Sequence, residues 1–132
     1  MEDWHVGIAN TYQESQKTGK PILVNFTGSD WCGFCVHLKK KVFSQEEFKT
    51  WAKENVVLYE VDFPKYFRIP EEIKAENTIL MEYFNVQGYP SIWLMNLIKK
   101  DGEYDIEPLG KINHNAFETA SIINQVNTIV KK

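Results

Sequence analysis

The chain has 132 residues, two cysteines and a formal net charge of −3 at pH 7; 43% of its residues are hydrophobic and 25% are charged. This length predicts a single domain over residues 1–132, because a second core would be too small to be stable. The apolar content argues against disorder, the short apolar runs argue against a membrane span, and the mildly acidic balance argues against nucleic acid as a partner.

The first half of the chain alternates helical and extended patterns. Trp4, Ile8 and Tyr12 recur four residues apart, which predicts an amphipathic helix. Ser44 followed by Glu47 fits a capping box, a side-chain pattern that begins a helix. In chain order the predictions are a helix over 4–17, a strand over 22–27, a helix that begins near 32, a helix that ends near 55 and a strand over 56–63.

The second half predicts a helix, a hairpin and a last helix. Pro108 is expected to place the second hairpin strand at a sheet edge. Helices between the first strands imply parallel crossovers, whereas a hairpin implies an antiparallel pair, so we expect a mixed central sheet with helices on both faces. The predicted elements are an irregular segment over 64–70, a helix over 71–84, strands over 92–98 and 104–109 around a turn at 100–102, and a helix over 115–130.

Cys32 and Cys35 carry the clearest chemical signal in the chain. Two thiols separated by two residues at a helix start can close and reopen a small disulfide ring. The helix start favours the Cys32 thiolate, the form that attacks disulfides. Cys35 is expected to be more buried and to react second, and Asp30 is a candidate helix cap. This pattern favours a redox-active, accessible Cys32.

Three other uses of a cysteine pair were weighed. Haem attachment needs His directly after the second cysteine, and Val36 stands there. A structural zinc site needs four ligands, for which His5, His37 and His114 are the available histidines. A purely structural disulfide would close too short a loop to restrain the unfolded chain strongly. We predict that the pair binds no metal and that the protein has no organic cofactor. A structural zinc site and a structural disulfide remain the alternatives to this prediction.

The motif Trp31-Cys32-Gly33-Phe34-Cys35, with Gly88-Tyr89-Pro90 further along, resembles the thioredoxin superfamily over residues 20–130. It is most similar to the bacterial thioredoxin-like thiol:disulfide interchange branch. The resemblance implies a thioredoxin fold with an N-terminal helix and an inserted segment before the cis-proline loop. It also implies that Cys32 is the attacking nucleophile, Cys35 the resolving thiol and Pro90 a cis-proline facing the pair. Trp31, Tyr89 and Pro90 would contact substrate.

The chain departs from the thioredoxin pattern at several positions. Asn25 stands where thioredoxins usually carry an acid, and Leu58 lies near the position of a lysine. An amide is a poor proton acceptor, so water, Glu60 or another group would have to take the proton of Cys35. Phe34 replaces a proline between the cysteines. The segment 64–80 is longer than its thioredoxin counterpart and is a candidate partner-specific surface.

These observations predict a monomeric thiol:disulfide oxidoreductase without cofactor. Its partners would be protein thiols and disulfides, together with a thiol-disulfide reductase or oxidase that recycles the cysteine pair. The alternative is a non-catalytic binding module with a passive disulfide. Residues 1–20 lack a signal-peptide pattern, so the protein is expected to be either cytoplasmic or exported by a leader that precedes this sequence. We favour the bacterial periplasm.

Overall fold

A computed structural model describes residues 3–131 of the chain. β1, β2 and the first part of β3 are largely apolar and rich in β-branched or aromatic residues, β4 is mixed, and the longer helices place their apolar residues on one side. The elements are α1 (Ile8–Thr18), β1 (Ile22–Thr27), α2 (Gly33–Leu38) with a π-helical continuation (Lys39–Phe43), α3 (Glu46–Asn55), β2 (Val57–Asp62), α4 (Glu71–Tyr83), β3 (Ser91–Lys100), β4 (Glu103–Ile112) and α5 (Thr119–Val130).

The strands form one mixed sheet in the order β2-β1-β3-β4. β1 pairs parallel with β2 and antiparallel with β3, and β3 pairs antiparallel with β4. The crossover through α2 and α3 makes the parallel pair, while the tight turn after β3 makes the hairpin. This architecture is a thioredoxin fold and confirms the predicted class.

The side chains of β1 alternate between two hydrophobic cores, one on each face of the sheet. Leu23 points to the face covered by α2, α3 and α5, where it packs in a cluster with Leu38, Phe48 and Ile122. Ile22, Val24 and Phe26 point to the other face. That second core is completed by residues of α1, of α4 and the position after it, and of the strands: Ile8, Tyr12, Leu80, Phe84, Val57, Tyr59, Val61, Met95 and Leu97. β1 is thus the central strand, and it ends at the segment that carries the cysteines.

The predicted start of the first helix at residue 4 is wrong. Trp4 is buried against Phe43, and His5 forms a parallel bridge with Tyr59 at the outer edge of β2. The helix begins at Ile8, after Gly7 at φ 90°. The four-residue spacing of the apolar residues suggested a helix, but the free edge of β2 pairs with residue 5 and keeps it extended.

Two other helix starts also differ from the predictions. Ser44 is not a helix cap, because its N–H donates to the carbonyl oxygen of Lys39 and closes the π-helical segment. Gln45 precedes α3 instead, without a side-chain capping bond. The last helix begins at Thr119 rather than near residue 115, because Phe117 adopts a positive φ of 50°. The predicted bodies of these helices are confirmed.

The hairpin of β3 and β4 is longer than predicted and irregular. Its register steps from Leu94 opposite Gly110 to Met95 opposite Pro108, so Leu109 bulges out of the ladder. Pro108 lies on the strand at the sheet edge, as predicted, where its missing N–H costs no central ladder bond. No helix within residues 3–131 is long and apolar enough to cross a membrane.

Candidate active site

The two cysteines lie where the chain leaves β1 and enters α2. Cys32 is the N-cap residue, with extended backbone at φ −95° and ψ 109°. Its sulfur accepts a hydrogen bond from the backbone N–H of Cys35 at 3.2 Å. Both thiols are free. The first turn of the helix therefore directs one of its unsatisfied N–H groups at Cys32 Sγ, where negative charge would develop.

The expected difference in burial between the cysteines is wrong, because Cys32 is 6% exposed and Cys35 is 5% exposed. Their environments nevertheless differ. Burial, followed by the hydrogen bond with Cys32, raises the pKa of the Cys35 thiol to about 11, against smaller opposing effects from Gly28 and Thr27. Cys35 is therefore a protonated thiol at neutral pH, and ionisation limits its nucleophilicity.

The loop before β3 closes the site from the opposite side. The Tyr89-Pro90 peptide bond is cis, as the sequence resemblance implied. The Tyr89 carbonyl oxygen lies 3.6 Å from Cys32 Sγ and accepts from the thiol. Pro90 is buried, whereas Tyr89 is half-buried. The structure thus places this loop beside Cys32, although Tyr89 is 57 positions away along the chain.

Trp31 fixes a third wall of the site. Its ring lies against Gly28, where an added Cβ would be only 2.2 Å from the nearest ring atom. Its indole N–H donates to the Phe63 carbonyl oxygen at 2.6 Å, and its edge meets the Tyr89 ring at a centroid distance of 5.7 Å. All five residues predicted for the site, Trp31, Cys32, Cys35, Tyr89 and Pro90, therefore come together.

A segment that we call the strap, residues 63–68, is tied to the loop before Cys32. The carboxylate of Asp30 accepts the backbone N–H groups of Lys65 at 3.0 Å and Tyr66 at 2.8 Å. The Lys65 ammonium lies 4.4 Å from the centroid of the Trp31 ring, within cation–π range. Asp30 thus caps the strap and not α2, contrary to the prediction. Its two partners are 35 and 36 residues away, a distance that carries no local signal.

A second acidic residue missed by the sequence reasoning holds the same loop. Asp62, at the end of β2, is buried and accepts the Ser29 backbone N–H at 2.9 Å. Its other carboxylate oxygen accepts the Ser29 hydroxyl. The backbone carbonyl of Asp62 in turn accepts from the Asn77 side chain of α4. The loop between β1 and Cys32 is therefore anchored by carboxylates at two points.

The residues beneath the cysteine pair are mostly neutral. Asn25 is buried, and its Oδ1 has no partner among the protein atoms of residues 3–131. Leu58 packs in the core on the α2 face. The register places Glu60 opposite Asn25, and burial raises the pKa of the Glu60 carboxyl, with Asp62 adding to the shift. Glu60 is therefore a candidate proton acceptor in place of the absent acid.

The histidines do not join the cysteines in a four-ligand set. His5 lies at the outer edge of β2, while His37 and His114 pack their rings against Phe117. Burial, together with the Lys111 charge, lowers the pKa of His114. Across residues 3–131, no group of three or more His, Cys, Asp or Glu side chains is arranged to hold a metal ion.

The fold and the site define a thioredoxin-fold protein with a dithiol pair at a helix start, facing a cis-proline. A family model described as "Thioredoxin-like domain" matches residues 8–119. The chain belongs to this thioredoxin-like family.

Two proteins of similar sequence support the assignment of this chain to the family. The chain is 36% identical over 84 residues to "Disulfide bond reductase DsbH" of Chlamydia pneumoniae, covering 64% of this chain and 51% of that protein. It is 31% identical over 93 residues to "Thioredoxin-related protein DsbJ" of the same organism, covering 70% of this chain and 27% of that protein. The chain therefore spans about half or less of the length of these relatives.

Two solved structures have a fold similar to that of this chain. A structure titled "DsbH Oxidoreductase" superposes with a TM-score of 0.78 at 30% identity, covering 97% of this chain and 83% of that one. A thioredoxin from Thermus thermophilus gives a TM-score of 0.68 at 17% identity, covering 98% and 88%. The second similarity concerns the fold alone.

Proposed function

We propose that this protein is a protein-disulfide oxidoreductase that works through the Cys32-Cys35 pair. The observation that carries the proposal is the position of Cys32 Sγ. It accepts the Cys35 N–H at 3.2 Å and lies 3.6 Å from the Tyr89 carbonyl oxygen beside the cis-proline. An exchanging sulfur needs stabilisation of its thiolate and a backbone surface along which a substrate chain can lie, and both are available here.

The proposed reaction consists of two exchanges. The Cys32 thiolate attacks one sulfur of a substrate disulfide; the substrate S–S bond breaks, a Cys32-substrate disulfide forms, and the other substrate sulfur leaves as a thiolate and is protonated. Cys35 then loses its proton and attacks the Cys32 sulfur. The second substrate thiol is released and the Cys32-Cys35 disulfide remains. The substrate gains two electrons, which a recycling dithiol must return to the pair.

The environment of Cys35 supports this order of events. With its pKa raised to about 11, Cys35 is not the first thiol to attack at neutral pH. In the second step it must give its proton to a base, for which we propose Glu60 or a water molecule. The backbone N–H of Cys35 lies 3.2 Å from Cys32 Sγ, so the two cysteines are adjacent and the Cys32 sulfur is the target that we propose for Cys35.

We further propose that the physiological direction is reduction of protein disulfides. The support is the name of the relative, a disulfide bond reductase, that shares 36% identity over 84 residues. We keep the bacterial periplasm as the proposed compartment, because a chain with only two cysteines avoids mispairing in an oxidising environment. Fractionation of cells that express the tagged native gene tests the compartment, and a purely cytoplasmic signal would contradict it.

Insulin reduction tests the proposed function. With dithiothreitol as electron donor, the wild-type protein should accelerate the precipitation of insulin chains, and Cys32→Ser should abolish the acceleration. Cys35→Ala should accumulate a covalent adduct with a disulfide substrate, detected as a mass increase that a reductant reverses. A binding module with a passive disulfide would show no acceleration, and Cys32→Ser would leave its partner affinity unchanged.

A further inference from the structure

We propose that the strap, residues 63–68, determines which protein substrates reach Cys32, and that Asp30 is the positioning residue that holds it. The substrate class is an extended protein segment that carries apolar and acidic residues beside its cysteine. This inference deepens the proposed function and rests on it. It goes beyond that function because it assigns substrate specificity to side chains that lie outside the cysteine motif and the cis-proline loop.

Hydrogen bonds to its backbone hold the strap at the site, and the side chains of Phe63 and Lys65 add contacts with the Tyr89 and Trp31 rings. Asp30 accepts two consecutive strap N–H groups, and the Trp31 indole N–H donates to the Phe63 carbonyl oxygen. Hydrogen bonds to an ionised carboxylate are roughly twice as strong as neutral ones. Both anchoring residues immediately precede Cys32 in sequence, so the position of the strap is coupled directly to the position of the nucleophile.

Two of the three aromatic side chains of the strap are exposed to solvent, whereas Phe63 packs against the core. Tyr66 is 80% exposed and Phe67 is 52% exposed. Phe34, between the two cysteines, is 68% exposed. Packing of the domain does not account for these positions, because exposed aromatic rings contribute little burial to folding. Exposed aromatic residues on a backbone tied to the loop that precedes Cys32 are instead typical of contact surfaces for protein partners.

The positive charge of the strap favours substrates that carry an acidic residue beside the cysteine. Lys65 and Arg68 are its only charged residues, so it carries two positive charges and no negative one. The Asp30 carboxylate beside it is engaged by two backbone N–H groups. The Lys65 ammonium, 4.4 Å from the centre of the Trp31 ring, is therefore a cation at the rim of the site. An acidic residue next to the substrate cysteine complements this charge.

Steady-state kinetics with two kinds of disulfide test the proposal. Wild-type protein and the Tyr66→Ser/Phe67→Ser double variant are compared on insulin and on the small aromatic disulfide DTNB. The ratio of the insulin to the DTNB specificity constant should fall about tenfold in the double variant, chiefly through KM for insulin, as expected for loss of interface anchors. Ile98→Ser, which removes an exposed apolar side chain from the β3-β4 hairpin, is the matched control and should leave the ratio unchanged.

A charge reversal tests the acidic preference separately. Two disulfide-linked peptides are used that differ only in Asp or Lys beside the cysteine. The wild type should reduce the Asp peptide about five- to tenfold faster, and Lys65→Glu should reverse this preference, as expected for charge complementarity at a binding rim. An equal rate for both peptides in the wild type, or an unchanged preference in Lys65→Glu, would overturn the charge assignment.

The role of Asp30 is tested by kinetics and limited proteolysis together. Asp30→Ala should raise KM for insulin as the double variant does, with a smaller effect on kcat, and should speed trypsin cleavage after Lys65 and Arg68. Asp30→Asn keeps one acceptor oxygen and should give an intermediate KM. Glu103→Ala, at the start of β4, is the control. Faster cleavage without a change in KM would reduce Asp30 to a structural role and overturn the proposal.

The outcomes separate the strap from the function itself. A wild type that reduces both insulin and DTNB, with a double variant whose ratio is unchanged, overturns the strap proposal and leaves the proposed function standing. A wild type that reduces neither disulfide overturns the proposed function, and the strap proposal falls with it.

Discussion

Small and acidic residues set the geometry of the cysteine site as much as the cysteines do. Gly28 leaves the space that the Trp31 ring occupies. The ring in turn makes a cation–π contact with the Lys65 ammonium and donates a hydrogen bond to the Phe63 carbonyl oxygen. The position of a large aromatic wall therefore depends on the absence of a side chain three residues earlier.

Gly28→Ala is expected to displace the Trp31 ring. The new Cβ would lie 2.2 to 2.6 Å from three ring atoms, so the ring must move and its hydrogen bond to Phe63 must break. Overpacking of this kind costs about 1 to 3 kcal/mol of stability. Urea unfolding under reducing conditions measures the loss, and insulin reduction should fall with it. Gly33→Ala, whose added Cβ meets nothing within 4 Å, is the control and should not destabilise the protein.

At the scale of single residues, the sequence predicted the reactive cysteines but not the acidic residues whose hydrogen bonds hold the loops around them. Cys32 and Cys35 carry a short-range spacing with a chemical meaning, and Pro90 follows from the motif that resembles thioredoxins. Asp30 and Asp62 look like ordinary loop and strand-end acids in the sequence. Their partners lie more than thirty residues away, and only the folded chain brings them within hydrogen-bond distance.

At the scale of elements, the helix starts show how tertiary contacts replace local caps. No side-chain capping bond is made by Gly7 before α1, Gln45 before α3 or Pro70 before α4. For α1 the missing acceptor comes from another helix, because Glu76 of α4 accepts the backbone N–H of Ile8 at 2.9 Å. Sequence periodicity located the bodies of these helices well. It placed the start of α4 correctly at residue 71 but misplaced the start of α1, whose acceptor is remote in sequence.

Glu76→Ala is expected to weaken the start of α1. Loss of a capping acceptor costs about 1 kcal/mol in typical helices. Glu76→Gln keeps an amide oxygen and should recover part of that loss. Urea unfolding midpoints measure both changes. Glu82→Ala, an exposed acid in the last turn of the same helix, is the control. A midpoint for Glu76→Ala equal to that of the control would show that the contact does not stabilise α1.

At the scale of the whole molecule, the order of strands and helices was enough to predict a mixed sheet with two covered faces. The prediction held because β1, β2 and most of β3 are largely apolar runs, and the connections between the strands dictate their direction. The sequence did not predict the pairing of His5 with β2 or the bulge near Pro108. Both depend on how two strands align side by side, which one segment read alone does not encode.

Two buried groups on opposite faces of the sheet make stability sensitive to alkali. Burial raises the pKa of Cys35 from 9.0 to about 11, and burial with the Glu76 charge raises the pKa of Tyr59 above its ordinary range. The folded chain keeps these protons at a pH where the unfolded chain releases them. The stability that depends on the neutral forms is therefore present below pH 9 and is lost as the pH rises towards 11 and above.

Urea midpoints at pH 7.5 and pH 10.5 test this expectation, with a lower midpoint at the higher pH. Tyr59→Phe should reduce the difference, because it removes one of the two groups. It should also stabilise the protein by about 1 kcal/mol at pH 7.5, since the buried Tyr59 hydroxyl has no partner among the protein atoms of the described chain. Tyr66→Phe, at an exposed tyrosine, should behave as the wild type. Equal midpoints at both pH values would contradict the prediction.

The separation of 57 positions between Cys32 and Tyr89 has a consequence for biosynthesis. Both thiols are synthesised before the loop that closes over them. β1 also waits for β3, its antiparallel neighbour, before the central ladder is complete. Nascent polypeptides therefore carry their sulfurs uncovered, open to any oxidant or foreign thiol, until the loop around Tyr89 and the strand β3 have been synthesised.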